Sequence, residues 1–422
     1  MDEGNVLAFR NPEEVGAEDP LTELLRAGAQ RLLQQAVEAE LEDMLTGYSD
    51  RRDAAGRQAV VRNGHLPARE ILTGIGPVPV RAPKVRSRTE ESVVFRSALV
   101  PPYVRKAKSV EAALPWLYLK GISTGQMQEA LSVLVGPEAK GLSAAVVSRL
   151  KTAWCAEYTR WRQRRLDHDR WVYVWVDGIY SGLRAEHQRL CVLVVIGVNE
   201  RGEKHFLAIE DGVRESTQSW REVLLKLKAR GLTHTPTLAV GDGALGFWGA
   251  LEEVYPETRA QRCWVHKTAN VLNYLPKSVQ PKAKQALQEI WMAPARTVAH
   301  QAFDLFVETY QAKYPKATEC LKKDREALLA FYDFPAEHWP HIRTSNPIES
   351  SFATIRHRTA QTQGSCSRET LLTMIFKLGQ CAEQRWRRIR GFHYLAKVIT
   401  GVRFKDGIED TENDLQDSRS AA

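Results

Sequence analysis

Trp171-Val-Tyr-Val-Trp-Val-Asp177 and Leu238-Ala-Val-Gly-Asp-Gly243 are the two stretches on which the fold turns. Each is an apolar run closed by an aspartate. The first is near-continuous, as expected of a strand buried on both faces. The second is shorter and places Asp242 between Gly241 and Gly243, which free the backbone to turn sharply and leave room beside the carboxylate. Taken alone, an aspartate closing a strand is more often a turn residue than a ligand. Two of them at the carboxyl ends of apolar strands are different, because open α/β sheets place their sites there. Asp177 and Asp242 lie 65 positions apart and are hard-oxygen donors of the kind Mg2+ prefers.

The pattern extends outward from these runs. Cys191–Val198 reads as a second strand, a turn at Asn199–Gly202 leads to a third at His205–Ile209, and a helix follows with Ser219 and Glu222 spaced as a capping box and Gly231 at its end. A strand at Thr237–Val240, a helix through Phe247–Val254 and a strand at Arg259–Cys263 complete the set. Three strands joined tightly, then helix, strand, helix, strand, predict a mixed α/β sheet with helices on its faces. Residues 267–340 read as helical and polar. Helix is expected to resume at Pro347 and run, with interruptions, to about Val402, and 403–422 read as a disordered acidic tail.

Charge divides the N-terminal third. Within an overall net of +8, residues 1–50 carry a net of −9 and residues 51–110 a net of +9. So abrupt a change marks the second segment as a nucleic-acid surface, with a solvated basic linker as the alternative. Residues 21–47 have helical spacing closed by Gly47, and the alternating Arg69–Arg81 predicts a two-stranded ribbon. Three helical pieces, Ser109–Lys120, Ser123–Val135 and Ser143–Arg164, have the order of a helix-turn-helix unit, an order any small bundle shares. The expected organisation is a helical segment at 1–50, a basic ribbon region at 51–106 and a helix-turn-helix-like DNA-binding domain at 107–165. A catalytic core follows at 166–266 and 341–402, interrupted by a helical insertion at 267–340.

The six cysteines fall mostly in apolar stretches, and no charged-then-apolar leader precedes them, so thiols in a reducing cytoplasm are expected. Apolar runs such as Cys191–Val198 fall far short of the roughly 18 residues a membrane helix needs, so no membrane partner is expected. Hydrophobic residues make up 43% of the chain, which excludes a disordered polymer.

Two further constellations have more than one reading. In Thr344-Ser-Asn-Pro-Ile-Glu349, Asn346 makes a good N-cap, Pro347 fits the first helical position and Glu349 falls where a glutamate supports the cap. On this segment alone the capping role is favoured. Arg356, seven residues on, shares the helical face of Glu349 and is placed to meet a phosphate. Cys263-x-x-His266 offers two zinc-type ligands where a closed structural site takes four; Cys320 and His341 are loose candidates for the rest. A role in shaping the core beside the site is the favoured alternative. The run Arg385-Trp-Arg-Arg-Ile-Arg390 is either a DNA-tracking segment or a charged helix face.

The set resembles the Mutator-like transposases of bacterial insertion sequences. The segments that carry the resemblance are Trp175-Val-Asp-Gly-Ile-Tyr180, Val240-Gly-Asp-Gly-Ala-Leu-Gly246, Gln261-Arg-Cys-Trp-Val-His-Lys-Thr-Ala-Asn-Val-Leu272 and Thr344-Ser-Asn-Pro-Ile-Glu349, with Arg62-Asn-Gly64 ahead of them. Gly241 stands where related sequences often have a small polar residue. The resemblance implies a ribonuclease H-like core and a DDE triad of Asp177, Asp242 and Glu349. It thereby turns Glu349 from a cap into the third ligand of two Mg2+ ions, with Mn2+ able to substitute. It implies hydrolysis at transposon ends followed by attack of the freed 3′-hydroxyl on target DNA. The implied partners are inverted-repeat ends, target DNA and a second copy of the chain, in the bacterial cytoplasm at the nucleoid. Arg62, Arg69, Arg81, Lys84, Arg86, Arg88 and Arg356 are then the expected DNA contacts, and Cys263 and His266 a signature pair.

Overall fold

The computed structural model describes residues 20–110, 113, 117, 122, 144–182, 189–212, 214–243, 245–345 and 367–410. The chain divides into two compact units, residues 1–150 and 151–422.

In the first unit, α1 (Pro20–Thr46) is followed by β1 (Val60–His65), β2 (Arg69–Thr73), β3 (Gly76–Val80) and β4 (Pro83–Ser87). The expected ribbon is present: β2 and β3 pair antiparallel from Arg69 opposite Val80 to Thr73 opposite Gly76. β1 and β4 make a second antiparallel pair. A small core joins Val37 of α1 to Ile71, Val78, Val80 and Val100. Leu21, Leu24, Leu25 and Leu32 of the same helix are exposed.

The second unit is built on one mixed five-stranded sheet of β5 (Trp171–Gly182), β6 (Arg189–Asn199), β7 (Lys204–Gly212), β8 (Leu238–Gly241) and β9 (Arg259–Arg262). Its order is β7-β6-β5-β8-β9. The first three strands form an antiparallel meander. β8 joins β5, and β9 joins β8, in parallel. The pleat sends alternate residues of β5 to opposite faces. Val174 and Val176 join a core beneath α3 (Thr217–Ala229) and α4 (Leu245–Val254), where Trp220, Val223, Leu224, Phe247, Ala250 and Leu251 meet them. Tyr173 and Trp175 face the other way. The Tyr173 hydroxyl lies 2.8 Å from His338 Nδ1, and Trp175 Nε1 donates to the His341 carbonyl at 3.1 Å. That second face is covered by the segment around 330–345.

α2 (Ala144–Arg162) straddles the division between units. Its C-terminal half is spent on the sheet. Tyr158 donates to the Ile209 carbonyl at 2.6 Å, and Arg162 pairs with the buried Glu210 of β7. The other two helices expected of a helix-turn-helix fall almost wholly outside the described residues. Helices α5 (Trp264–Leu272), α6 (Gln280–Met292), α7 (Arg296–Gln311) and α8 (Pro315–Lys322) form the expected insertion after β9. Asp324, buried just past α8, binds it back to the core: its carboxylate receives Arg262 Nε at 3.3 Å and Lys267 Nζ. Burial alone would raise the Asp324 pKa, but the hydrogen bond and charge of Lys267, with Arg262 beside it, hold it below the ordinary value.

Three expectations are corrected. The cap of α3 is Ser216, extended at φ −81° and ψ 157°, which accepts from the Ser219 amide at 3.2 Å; Ser219 lies inside the first turn and Glu222 pairs with Gln218 instead. After α9 (Arg368–Glu383) the run Arg385–Arg390 is not helical. Trp386 packs on Phe206, Ile389 is buried and Arg388 pairs with Glu203, so the charged-helix reading falls. Third, the tail is ordered through a hairpin of Phe404–Lys405 and Ile408–Glu409, with Phe404 buried. Residues 411–422 lie outside the described residues.

Candidate active site

The parallel pairing of β5 with β8 fixes the geometry of the two aspartates. Tyr173, Val174 and Trp175 stand opposite Leu238, Ala239 and Val240, a constant offset of 65 positions. Asp177 and Asp242 share that offset. They therefore extend the register of neighbouring strands, whose backbones run about 4.8 Å apart. The expected strand end at Asp177 is corrected: β5 continues to Gly182, paired with β6, and only Asp242 follows the last residue of its strand. Both continue the row of Tyr173 and Trp175, on the face away from α3 and α4. Both are half-buried, and the local hydrogen bonding repeats. Asp177 Oδ1 accepts from the Gly178 amide at 2.8 Å, and Asp242 Oδ1 accepts from the Gly243 amide.

The glycines around Asp242 act differently from the sequence expectation. Neither Gly241 nor Gly243 has a positive φ. A Cβ on Gly241 would meet Val176 Cγ2 at 2.7 Å, so glycine is needed there for room against β5. Gly243 has open space around its Cβ position, as a ligand beside the carboxylate requires. The Asp242 carbonyl is held by Trp248 Nε1 at 2.7 Å, with Arg262 Nη1 at 3.5 Å. The Arg262 guanidinium stacks 4.0 Å over the Trp248 ring. Burial lowers its pKa, against the charges of Asp324 and Asp242.

A further carboxylate approaches from the other side of the sheet. Glu215 lies in the turn before α3, and a Cβ on Gly178 would overlap its Oε1, so only glycine after Asp177 admits it. Burial raises the Glu215 pKa; a hydrogen bond from Tyr180 opposes the rise, and the negative charge of Asp242 adds to it. Glu215 carried no signal in the sequence, being an ordinary residue of a turn.

Cys263 and His266 sit at the start of α5 and bind the segment that follows the insertion. The Ser345 amide and hydroxyl both reach Cys263 Sγ at 3.2 Å, and the Ser345 hydroxyl lies 3.3 Å from His266 Nδ1. The hydrogen bond with Cys263 is the main cause that lifts the His266 pKa to about 9, against burial and with help from the charges of Cys263, Asp242 and Asp177. Neither Cys320 nor His341 completes a zinc set. His341 Nε2 accepts from the Arg390 amide at 3.0 Å, and burial takes its pKa down to about 4. Among the described residues, no three His, Cys, Asp or Glu side chains converge on one point.

Glu349 and Arg356 lie outside the described residues. Of the other expected DNA contacts, Arg81, Lys84, Arg86 and Arg88 are exposed, and Arg62 is exposed but paired with Glu38 at 2.9 Å. Arg69 is a correction. Its guanidinium bonds the carbonyls of Pro101 at 2.7 Å, Pro102 at 2.6 Å and Val104 at 3.2 Å, together with that of Val100, so it fastens a loop. A count of positive charges cannot see those carbonyls.

Comparison with known proteins shows the family of the chain. The family model described as "Transposase, Mutator family" matches residues 3–388. The transposase for insertion sequence element IST2 of Acidithiobacillus ferrooxidans is 54% identical over 70% of this chain and 100% of its own. That for IS6120 of Mycolicibacterium smegmatis is 47% identical over 70% of this chain and 90% of its own. Among solved structures, the Drosophila P element transposase strand transfer complex covers 74% of this chain and 92% of its own. Its 10% identity and TM-score of 0.25 are too slight to bear on the fold.

Proposed function

Because the chain belongs to the Mutator family of transposases, we propose that it cleaves the ends of its insertion sequence and joins them to target DNA at a site built on Asp177, Asp242 and Glu349. The observation that carries this reading is the shared register offset of Asp177, within β5, and Asp242, just past β8, on adjacent parallel strands. The meander followed by two parallel strands supports a ribonuclease H-like core.

The donor set fits divalent Mg2+ or Mn2+: two half-buried carboxylates side by side, with open space at Gly243. Bound there, two such ions would make the attacking oxygen a better nucleophile and stabilise the leaving oxygen of an in-line displacement. The protein's part is to hold the carboxylates still. The glycine amides fix one oxygen of each aspartate, and Trp248 and Arg262 fix the backbone at Asp242. Water is the first attacking group and frees a 3′-hydroxyl; that hydroxyl is the second, at a target phosphodiester. Lys84 and Arg86 on the exposed face of β4, with Arg88 just past its end, hold DNA by its phosphates. Two ends in one reaction call for two copies of the chain.

The test is end cleavage in Mg2+ by Asp177→Asn, Asp242→Asn and Glu349→Gln. Each should lose cleavage and keep binding to end DNA. Cleavage retained by any one of them removes that residue from the site.

A further inference from the structure

We infer that Cys263 and His266 form a latch that locks the chain at Ser345 onto the end of β8, making them positioning residues for the reaction. The inference rests on the proposed site and concerns what holds its parts together.

Cys263 stands between two pieces of chain that sequence keeps far apart. Its amide donates to the Gly241 carbonyl at 2.9 Å, one residue before Asp242. Its sulfur receives both the amide and the hydroxyl of Ser345, each at 3.2 Å. Ser345 is fully buried and Cys263 nearly so, at 1% exposed. The neighbouring backbone repeats the link, with the Trp264 amide donating to the Arg343 carbonyl at 3.0 Å. The insertion and its anchors thus leave and re-enter the core through one clasp, and Ser345 is four residues ahead of Glu349 in sequence.

The chemistry of the clasp excludes the obvious alternative for the sulfur. Cys263 is the N-cap residue of α5, yet it makes no side-chain cap bond. Its sulfur is directed to Ser345 instead. Ser345 has one hydroxyl proton; with that proton on the sulfur, the 3.3 Å contact to His266 requires Nδ1 to donate to the hydroxyl oxygen. His266 then donates within a cluster in which Ser345 Oγ–H donates to Cys263 Sγ and the imidazole meets both the Ser345 hydroxyl and the Cys263 sulfur, so the three side chains fix one another. Partners that hydrogen-bond metal ligands directly are worth about 10–100-fold in metal affinity; the Cys263 sulfur acts one step removed, through the buried chain at Ser345, so the lower end of that range applies.

The experiment uses the full chain and its end DNA, and measures the Mg2+ concentration that half-saturates cleavage, the Kd for end DNA and the thermal midpoint. Cys263→Ala should raise the half-saturating Mg2+ about tenfold or more, with end binding within twofold of wild type. Cys263→Ser, whose oxygen accepts the same two bonds, should recover at least half of that loss. Ser345→Ala, which keeps its amide, should fall between them, and it carries the test if Cys263→Ala does not fold. Unchanged Mg2+ dependence in folded Cys263→Ala or Ser345→Ala overturns the latch. Stoichiometric zinc in the purified protein, lost in both Cys263→Ser and Cys263→Ala, overturns it in favour of a ligand. Cleavage surviving in Asp242→Asn would instead sink the proposed site itself, whatever the latch variants do.

Discussion

The aspartate pair of β5 and β8 and the exposed face of β4 both carry concentrated charge, and they are built in opposite ways. Asp177 and Asp242 follow stretches of strand that are buried, and a backbone amide fixes each carboxylate. Lys84 and Arg86 alternate with Val85 and Ser87 on β4 of a small unit, Arg88 follows its last residue, and all three are exposed. Among the described residues, none of the three has a side-chain ion pair. A charge that must meet a reacting phosphate at one geometry is held by the fold, whereas a charge that follows a flexible polyanion is left to solvent. The first should fail all at once when altered, and the second by degrees.

The largest effect expected is at the two aspartates. Asp177→Asn or Asp242→Asn should lower Mg2+-dependent cleavage by on the order of 1000-fold or more, while a filter or gel-shift assay shows end binding unchanged. A graded, few-fold loss would place these aspartates with the surface charges.

Next comes the buried pairing that supports the site. Lys267→Met leaves Asp324 buried with only Arg262 beside it, and urea unfolding should show a loss of about 3–5 kcal/mol. The sign with pH follows from the depressed Asp324 pKa. Its contribution is present above the ordinary carboxylate pKa of about 3.9 and is lost as pH falls through the lower folded value. The deficit of Lys267→Met should therefore narrow on acidification; a deficit independent of pH would show that Lys267 acts through packing alone.

Arg69 sharpens the contrast within the basic unit. Arg69→Ala frees four carbonyls and should destabilise residues 20–110 by roughly 1–3 kcal/mol, read as earlier loss of hydrogen-exchange protection in β2 and β3. The smallest effects belong to β4. Arg86→Ala should leave stability within about 0.5 kcal/mol and reduce the slope of log affinity against log salt by about 0.9. A salt slope that does not change would remove Arg86 from the DNA contacts.

How far the sequence could be read follows the same division. The sheet was legible because β5 and β6 hold long apolar runs, and even the spacing of the aspartates equals the register offset of the strands that carry them. Gly241 was noticed for flexibility, but its reason is the proximity of Val176, which only packing shows. Ser216 rather than Ser219 caps α3 because both serines fit the local grammar and the loop geometry decides. Glu215 reaches its place through a contact between segments distant in sequence and carried no signal; Ser345 stood inside a quoted segment, but its contact with Cys263 was not legible there. Arg385–Arg390 looked like a charged face and is a strap, pinned by Trp386 and Ile389 between its arginines.

The central claim is that Asp177 and Asp242 work as one unit, and a double-mutant cycle on end cleavage tests it most directly. Rates in Mg2+ are compared for Asp177→Asn, Asp242→Asn and the two combined. Residues that act together lose their effect together, so the double variant should be no slower than the slower single variant. Two partial losses that multiply in the double variant would contradict the account.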